Sequence, residues 1–414
     1  MEIVNKKKGQ KMPTYGLNTG ARQVTSDINP TVLRVGATTS QTVDLQRKQW
    51  YKLLNSVLVI KGQLQATCES SVTESAEKVV SIPYKSDHLY NIINNLVIRL
   101  NNAYEVKNYT RLAFLRFINL LQDEGYADFA VIPRSITIKQ GETSGVADFK
   151  LMIPISFLMY DMTGKTRSFL ATWLYNALNM TWQTGPIDNI IKEQPTNAKI
   201  DYVKDSVTLE SSSEYWITGQ GVFSGANTSE VLNKMGVIYR VTSFERDLGL
   251  GSNNVVIDDF TPTTNTILSN FWIITRDPAT GQRIDGVIKR FKFADGDKPL
   301  FDCTPDILRQ LLKSKYNFST ALFTKNDSNE ADGQGALYGV HKIDTSCFGD
   351  IDNAVLAVGN WRQPKLYLDI ASECAELSEK SKRQVKFEIY QTFAEVPQII
   401  QNLATQYVQS TQGA

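Results

Sequence analysis

Residues 149–184 read FKLMIPISFLMYDMTGKTRSFLATWLYNALNMTWQT. An apolar run, Leu151 to Tyr160, stops at the polar group Asp161-Met162-Thr163-Gly164. A linking segment follows, Lys165 to Ala177, and then a second apolar run, Leu178 to Trp182. Pro154 argues against a helix interior, because proline has no N–H and its ring clashes with the preceding turn. A run of this length with an internal proline reads as a buried strand. Asp161 can fold its carboxylate back on the local backbone, and Gly164 accepts positive φ, so this is turn chemistry. The turn carries no histidine or cysteine, and Asp161, Thr163 and Gly164 are expected to be structural.

The rest of the chain is read in the same style. Val57 to Ile60 is continuously apolar, and Leu64, Ala66 and Cys68 then alternate onto one face, which predicts a strand. Leu96 to Leu100, Gly236 to Phe244, Ile267 to Thr275, Val287 to Phe293, Ala354 to Val358, Lys365 to Ile370 and Val385 to Phe393 read as further strands. Ile200 to Leu209 reads as one more. In the last strand Val385, Phe387 and Ile389 face one way, and Lys386, Glu388 and Tyr390 the other. Two helices stand out. Thr110 is expected to cap the first, which runs to Gln122 with Leu112, Leu115, Ile118 and Leu121 on one face. Thr304-Pro305 opens the second, which runs to Tyr316 with Ile307, Leu308, Leu311 and Leu312 as its apolar face. Many short strands, two helices and long polar loops predict a mostly β chain. The serines 211–213 and Gly219, Gly221 and Gly225 suggest a break between two halves. The expected division is an arm at 1–45, a first unit at 46–218, a second at 219–397 and a tail at 398–414.

Composition narrows the chemistry. The chain has 414 residues and a formal charge of +1, so no global charge points to nucleic acid. The bias is local: residues 1–52 carry nine Lys/Arg against Glu2, Asp27 and Asp44. Lys6, Lys7, Lys8 and Lys11 form the one basic run, which fits either an anionic surface or a solvated terminus. Cys68, Cys303, Cys347 and Cys374 form no C-x-x-C pair, so no zinc site or dithiol is expected. His88 and His341, the only histidines, have no nucleophile and acid in catalytic spacing and read as surface or loop residues. Asp258-Asp259 and Asp350/Asp352 are candidate paired carboxylates by type only, and solvated loops explain them better. No metal, cofactor or catalytic residue is expected.

In this order the segments resemble the major capsid proteins of tectivirus-type, membrane-containing icosahedral viruses. Ala21-Arg22-Gln23-Val24 with Pro30-Thr31-Val32 is similar to their amino-terminal arm. Val59-Ile60-Lys61-Gly62 resembles their first core strand. Ile153-Pro154-Ile155 leading to Asp161-Met162-Thr163-Gly164 looks like their proline-containing strand and Asp-x-Thr-Gly turn. Gly339-Val340, followed by strands and the aromatic strand Phe387 to Phe393, is similar to the end of their second jelly roll. The helix from Thr110 and the tail after Phe393 are longer than in that pattern. The resemblance implies a mostly β fold of two consecutive eight-stranded jelly rolls with a few short helices and long loops. It further implies a homotrimer that tiles a capsid lattice in the virion, with penton and minor capsid proteins as partners. The lysine arm would face an internal lipid membrane or the genome, with no specific nucleic-acid site. Polar stretches 219–228 and 327–335 would be outer loops. Two other classes fit the composition. One is a β-sandwich spike, adhesin or carbohydrate-binding protein using Tyr215, Trp216 and Trp361 as platforms. The other is a two-carboxylate hydrolase.

Overall fold

The computed structural model describes residues 21–44, 51–72, 77–101, 104–120, 129–157, 177–217, 238–258, 266–296, 298–316, 319–327, 330–344 and 364–395, with short pieces of 159–175 and isolated positions in the tail. Lys6, Lys7, Lys8, Lys11, Asp161, Thr163, Gly164, Asp259, the strand 354–358, Asp350, Asp352, Cys347, Trp361, the stretch 219–228 and most of the tail lie outside the described residues.

Three large sheets carry the fold. The first orders Ala21–Val32, Thr208–Ile217, Tyr51–Thr67, Ser144–Ser156 and Phe129–Val131, with Leu170–Ala171 and Lys199–Tyr202 also pairing with Tyr51–Thr67. The second has eight strands, in the order Thr38–Asp44, Ala177–Thr184, Ile93–Leu100, Tyr104–Tyr109, Ile238–Gly249, Gln384–Glu395, Thr266–Arg276 and Val340–Asp344. The third orders Val255–Ile257, Pro364–Ile370, Ile288–Asp295 and Lys298–Cys303. Neighbours in each sheet are mostly remote in sequence, and all described ladders but one are antiparallel. The exception is the parallel bridge Val241↔Lys107, where the eight-stranded sheet passes from the first half of the chain into the second.

The 149–184 stretch joins two layers. Its first strand pairs with Tyr51–Thr67 from Ser144↔Thr67 to Ser156↔Asn55. Its last, Ala177–Thr184, belongs to the eight-stranded sheet. Among the described residues Phe129–Val131 pairs only with Lys150 to Met152, so Pro154 has no described partner strand on that side. The linking segment contains short strands: Thr166–Ser168 pairs with Met159–Tyr160, bracketing 161–165, and Leu170–Ala171 pairs with Lys52 and Leu53. Alternation in Tyr51–Thr67 is as read, with Leu58, Ile60, Leu64 and Ala66 buried.

Several expectations change. Residues 21–44, read as part of an arm, form edge strands of both sheets of the first half. Ile200 to Leu209 is two strands that run the same way along Tyr51–Thr67, interrupted by a turn at 204–206, where Asp205 takes φ +56°. Serines 211–213 lie inside a strand, where Ser213 shares a buried hydroxyl contact of 3.0 Å with Ser56. The first helix, α1, is Ala113–Leu120. Thr110 does not cap it; its hydroxyl donates to Tyr390 Oη at 2.8 Å. The second helix, α2, is Pro305–Tyr316. It buries Leu308 and Leu312 but leaves Ile307 and Leu311 exposed, so its packed stripe is half as wide as its apolar pattern.

The two halves do not have separate interiors. Strands Thr266–Arg276 and Gln384–Glu395 are buried on both faces. Phe271, Ile273, Phe387 and Ile389 fill the core of the second half, whereas Trp272, Ile274 and Tyr390 join the core of the first. Phe114 of α1 stacks on Tyr390 with centroids 3.7 Å apart and meets Trp272 edge-on at 5.4 Å.

Gly145 lies where Ser135–Ile138 packs tightly on the first sheet: a Cβ there would overlap the Thr137 carbonyl. Gly145→Ala therefore has to push apart two layers of backbone. Its urea-unfolding free energy should drop by about 1–3 kcal/mol, the range for overpacking. A midpoint equal to the parent's would contradict this packing.

Candidate functional site

The most concentrated chemistry in the described residues is an ionic seam where the two halves meet. On the first-half side, Ile82 to Ile92 runs into the short 3-10 turn His88–Ile92, every residue of which is buried. The chain enters it through two successive residues in left-handed backbone, Asp87 (φ +67°) and His88 (φ +36°). Neither is glycine, and such positions cost on the order of 1–3 kcal/mol each unless their surroundings hold them. Here the surroundings do. Asp87 Oδ2 accepts from Arg276 Nη2 at 2.5 Å, and Asp87 Oδ1 lies 3.2 Å from Arg283 Nε. The Asp87 N–H donates to Asp332 Oδ2 at 2.8 Å.

Each arginine is held in turn. Arg276 Nε donates to Glu388 Oε1 at 2.7 Å and Nη1 to the Gly281 carbonyl at 3.2 Å. Arg283 Nη1 donates to the carbonyls of Gly335, Ala336 and Tyr338, the last at 2.7 Å. Its guanidinium lies over the Phe117 ring. Arg111 bonds Glu388, and Arg116 of α1 bonds Glu330. The seam thus balances Asp87, Glu330, Asp332 and Glu388 against Arg111, Arg116, Arg276 and Arg283. Four of its ion-paired contacts, Asp87 with Arg276 and with Arg283, Arg111 with Glu388 and Arg116 with Glu330, cross from first half to second. Neutral polar groups complete it: Ser86 Oγ donates to Gln334 Oε1 at 2.6 Å and accepts from the Arg283 N–H at 2.8 Å.

Burial and pairing set the ionisation. Burial opposes charge on Asp87, but Arg283 and Arg276 outweigh it and hold the carboxyl well below the usual carboxylate range. Burial pushes the Asp332 carboxyl above its usual range, with Arg283 pulling the other way from 3.7 Å. His88 is packed between the rings of Tyr84 and Tyr90, with centroids at 6.0 and 5.5 Å. Neither of its nitrogens has a hydrogen-bond partner, and burial, then Arg116, drive its basicity well below that of ordinary imidazole.

The arrangement is a clamp. Each of its carboxylates lies within ion-pair distance of a guanidinium. His88 and His341 are both buried, at 1% and 2% exposure, which corrects their reading as surface residues. The segment 330–335, expected in an outer loop, packs into the seam through Asp332 and Gln334. Tyr215, a candidate ligand platform, is fully buried. Asp258 is exposed. Among the described residues no group of three or more His, Cys, Asp or Glu could hold a metal ion, and Cys68, Cys303 and Cys374 are free. Sequence reading missed the seam because its members are scattered from residue 86 to 388. The one signal was an excess of charge in otherwise apolar segments, such as Arg116 within Phe114 to Ile118 and Glu388 within Val385 to Phe393.

No family model matches the sequence, and no curated protein matches it either. Solved structures do. A chain of Sulfolobus Turreted Icosahedral Virus superposes with a TM-score of 0.56 at 11% identity, covering 94% of this chain and 97% of that one. The Faustovirus major capsid protein gives 0.53 at 7% identity over 91% of each chain. The major capsid protein P2 from bacteriophage PM2 gives 0.50 at 11% identity, over 91% of this chain and 98% of that one. The agreement over nearly the full length of all of them shows the fold: two consecutive jelly rolls in one chain.

Removing one partner of the clamp strands buried charge. Asp87→Asn should lower unfolding free energy by about 3–5 kcal/mol, the range for breaking a buried pair. Asp306→Asn, whose partner contact is largely exposed, should change it little. The acid limb follows from the same pairing. The folded-state pKa of Asp87 is depressed, so its stabilisation is complete above the unfolded value near 4 and is lost as pH falls toward the folded value. Denaturant titrations below pH ~4 should therefore be shallower for Asp87→Asn than for the parent.

Proposed function

We propose that this chain is a viral major capsid protein and has no enzymatic role. The observation that carries the reading is the fold itself, a double jelly roll that matches capsid proteins over about nine-tenths of the chain. The clamp supports it physically. A shell tile has to keep two sandwiches in fixed relation under load, and a buried ionic seam with shared aromatic packing does that.

Three copies of a two-sandwich chain present six sandwiches, which gives a pseudo-hexagonal homotrimer suited to an icosahedral shell. Interfaces in such obligate trimers bury on the order of 2,000 Å² or more. Weak contacts between trimers then suffice, because closed symmetry multiplies them. In this reading the first jelly roll spans 46–218, with 21–44 adding its edge strands, and the second spans 219–397. Lys6, Lys7, Lys8 and Lys11 face an internal membrane or the genome. Asp161, Thr163 and Gly164 close a structural turn. The tail 398–414 contacts a neighbouring copy, and penton and minor capsid proteins fill the remaining lattice positions. The protein resides in the virion shell.

Light scattering of the purified chain should give the mass of a trimer, and electron microscopy a six-fold outline. Deleting residues 1–11 should leave the trimer intact and reduce association with anionic vesicles. A stable monomer at micromolar concentration would overturn the assignment.

A further inference from the structure

We propose that the turn carrying Asp87 and His88 is an acid-operated latch, in which protonation of His88 releases the turn and breaks its ion pairs to the second half. The inference rests on one chain's own junction and is independent of the capsid assignment.

Three features of that junction combine. The first is backbone: Asp87 and His88 are consecutive left-handed residues with side chains, a conformation the chain leaves readily once nothing holds it. The second is connectivity. Among the described residues Asp87 is the one first-half carboxylate that reaches Arg276 and Arg283, and its N–H engages Asp332. A change in the turn is therefore felt at once by both arginines and by the 330–335 segment. The third is the His88 ring. It is fully buried, and neither nitrogen is hydrogen-bonded.

A proton on that ring has nowhere to go in the closed state. The groups facing it are Asp87 from its own turn, the rings of Tyr84 and Tyr90, Arg116 from α1, and Arg283 from the segment after Thr266–Arg276. The two arginines repel an imidazolium. The Asp87 carboxylate attracts it but is already shared between Arg276 and Arg283. Closed, the latch excludes the proton; open, with His88 in water, the ring binds it at an ordinary imidazole value near 6.5. The open state therefore gains population as pH falls. For one proton the opening constant rises about 30-fold between pH 7.5 and pH 5.0. Opening frees Asp87 from its arginines and leaves the shared eight-stranded sheet and the pairs Arg111–Glu388 and Arg116–Glu330 in place.

Hydrogen exchange of the full chain at pH 7.5 and 5.0, corrected for intrinsic amide rates, reads this directly. Amides of residues 84–92 should open about 30-fold more at pH 5.0, with a slope that approaches one proton below pH ~6. Those of Ile288–Asp295 and Pro364–Ile370, in the far sheet, should hold their protection. His88→Asn, which suits left-handed backbone and cannot titrate, should abolish the response, whereas His341→Gln should retain it. The latch is overturned by a zero slope in wild-type 84–92, by an equal rise in His88→Asn, or by a uniform rise across the chain. Should His88→Asn fail to fold, His88→Gln is read in its place, and the wild-type slope and its confinement to the junction decide alone.

Discussion

One carboxylate organises the relation between the two halves. Asp87 lies at 0% exposure between two arginines that arrive from the other half of the chain. Replaced as a whole by apolar groups of similar shape, such a cluster is often no less stable, since desolvation offsets much of its attraction. What the cluster supplies is direction. Hydrophobic faces such as Phe114 against Tyr390 attract at many angles, whereas guanidinium–carboxylate geometry accepts few. The arrangement of the sandwiches is thus fixed by charge, and the area that holds them together by aromatic and aliphatic packing.

The shared eight-stranded sheet explains why these charges had to be buried. Its second-half strands cover the core of their own sandwich with one face and lean on α1 with the other. Glu388 and Tyr390 occupy the face that solitary alternation assigns to solvent. Once α1 covers that face, Glu388 needs cationic partners, and Arg276 and Arg111 supply them. Burial of polar residues here follows from how the halves meet.

Local pattern made much of this fold readable. The even positions of Leu58 to Cys68, the proline-broken run before Tyr160 and the Thr-Pro start of α2 each declare their element, because each depends on neighbours along the chain. The readings that failed all depended on a second surface. Thr110 looked like a cap, but Tyr390, 280 residues away, takes its hydroxyl. Ile307 and Leu311 looked like core, but α2 meets the second half along a narrower strip. His88 and His341 looked solvated although Leu89, Tyr90 and Val340 adjoin them, because a lone histidine's neighbours along the chain do not say what packs over it. The seam itself was illegible for the same reason: periodicity reports which way a side chain points and not what arrives to cover it.

The distances along the chain between seam partners carry a consequence for biogenesis. Asp87 and Arg276 are 189 residues apart, Arg116 and Glu330 are 214, and Arg111 and Glu388 are 277. Contacts of such span close large loops, so the entropy lost in forming them is recovered only late. During synthesis the first sandwich can assemble while Glu388 is still unmade. Until that residue emerges, Arg111 and the α1 surface stand open. The chain therefore has an interval in which an apolar, cationic face is exposed, and in that interval the same face on another nascent chain competes for whichever second half arrives first. Exchange of second halves between chains is the characteristic error this architecture invites.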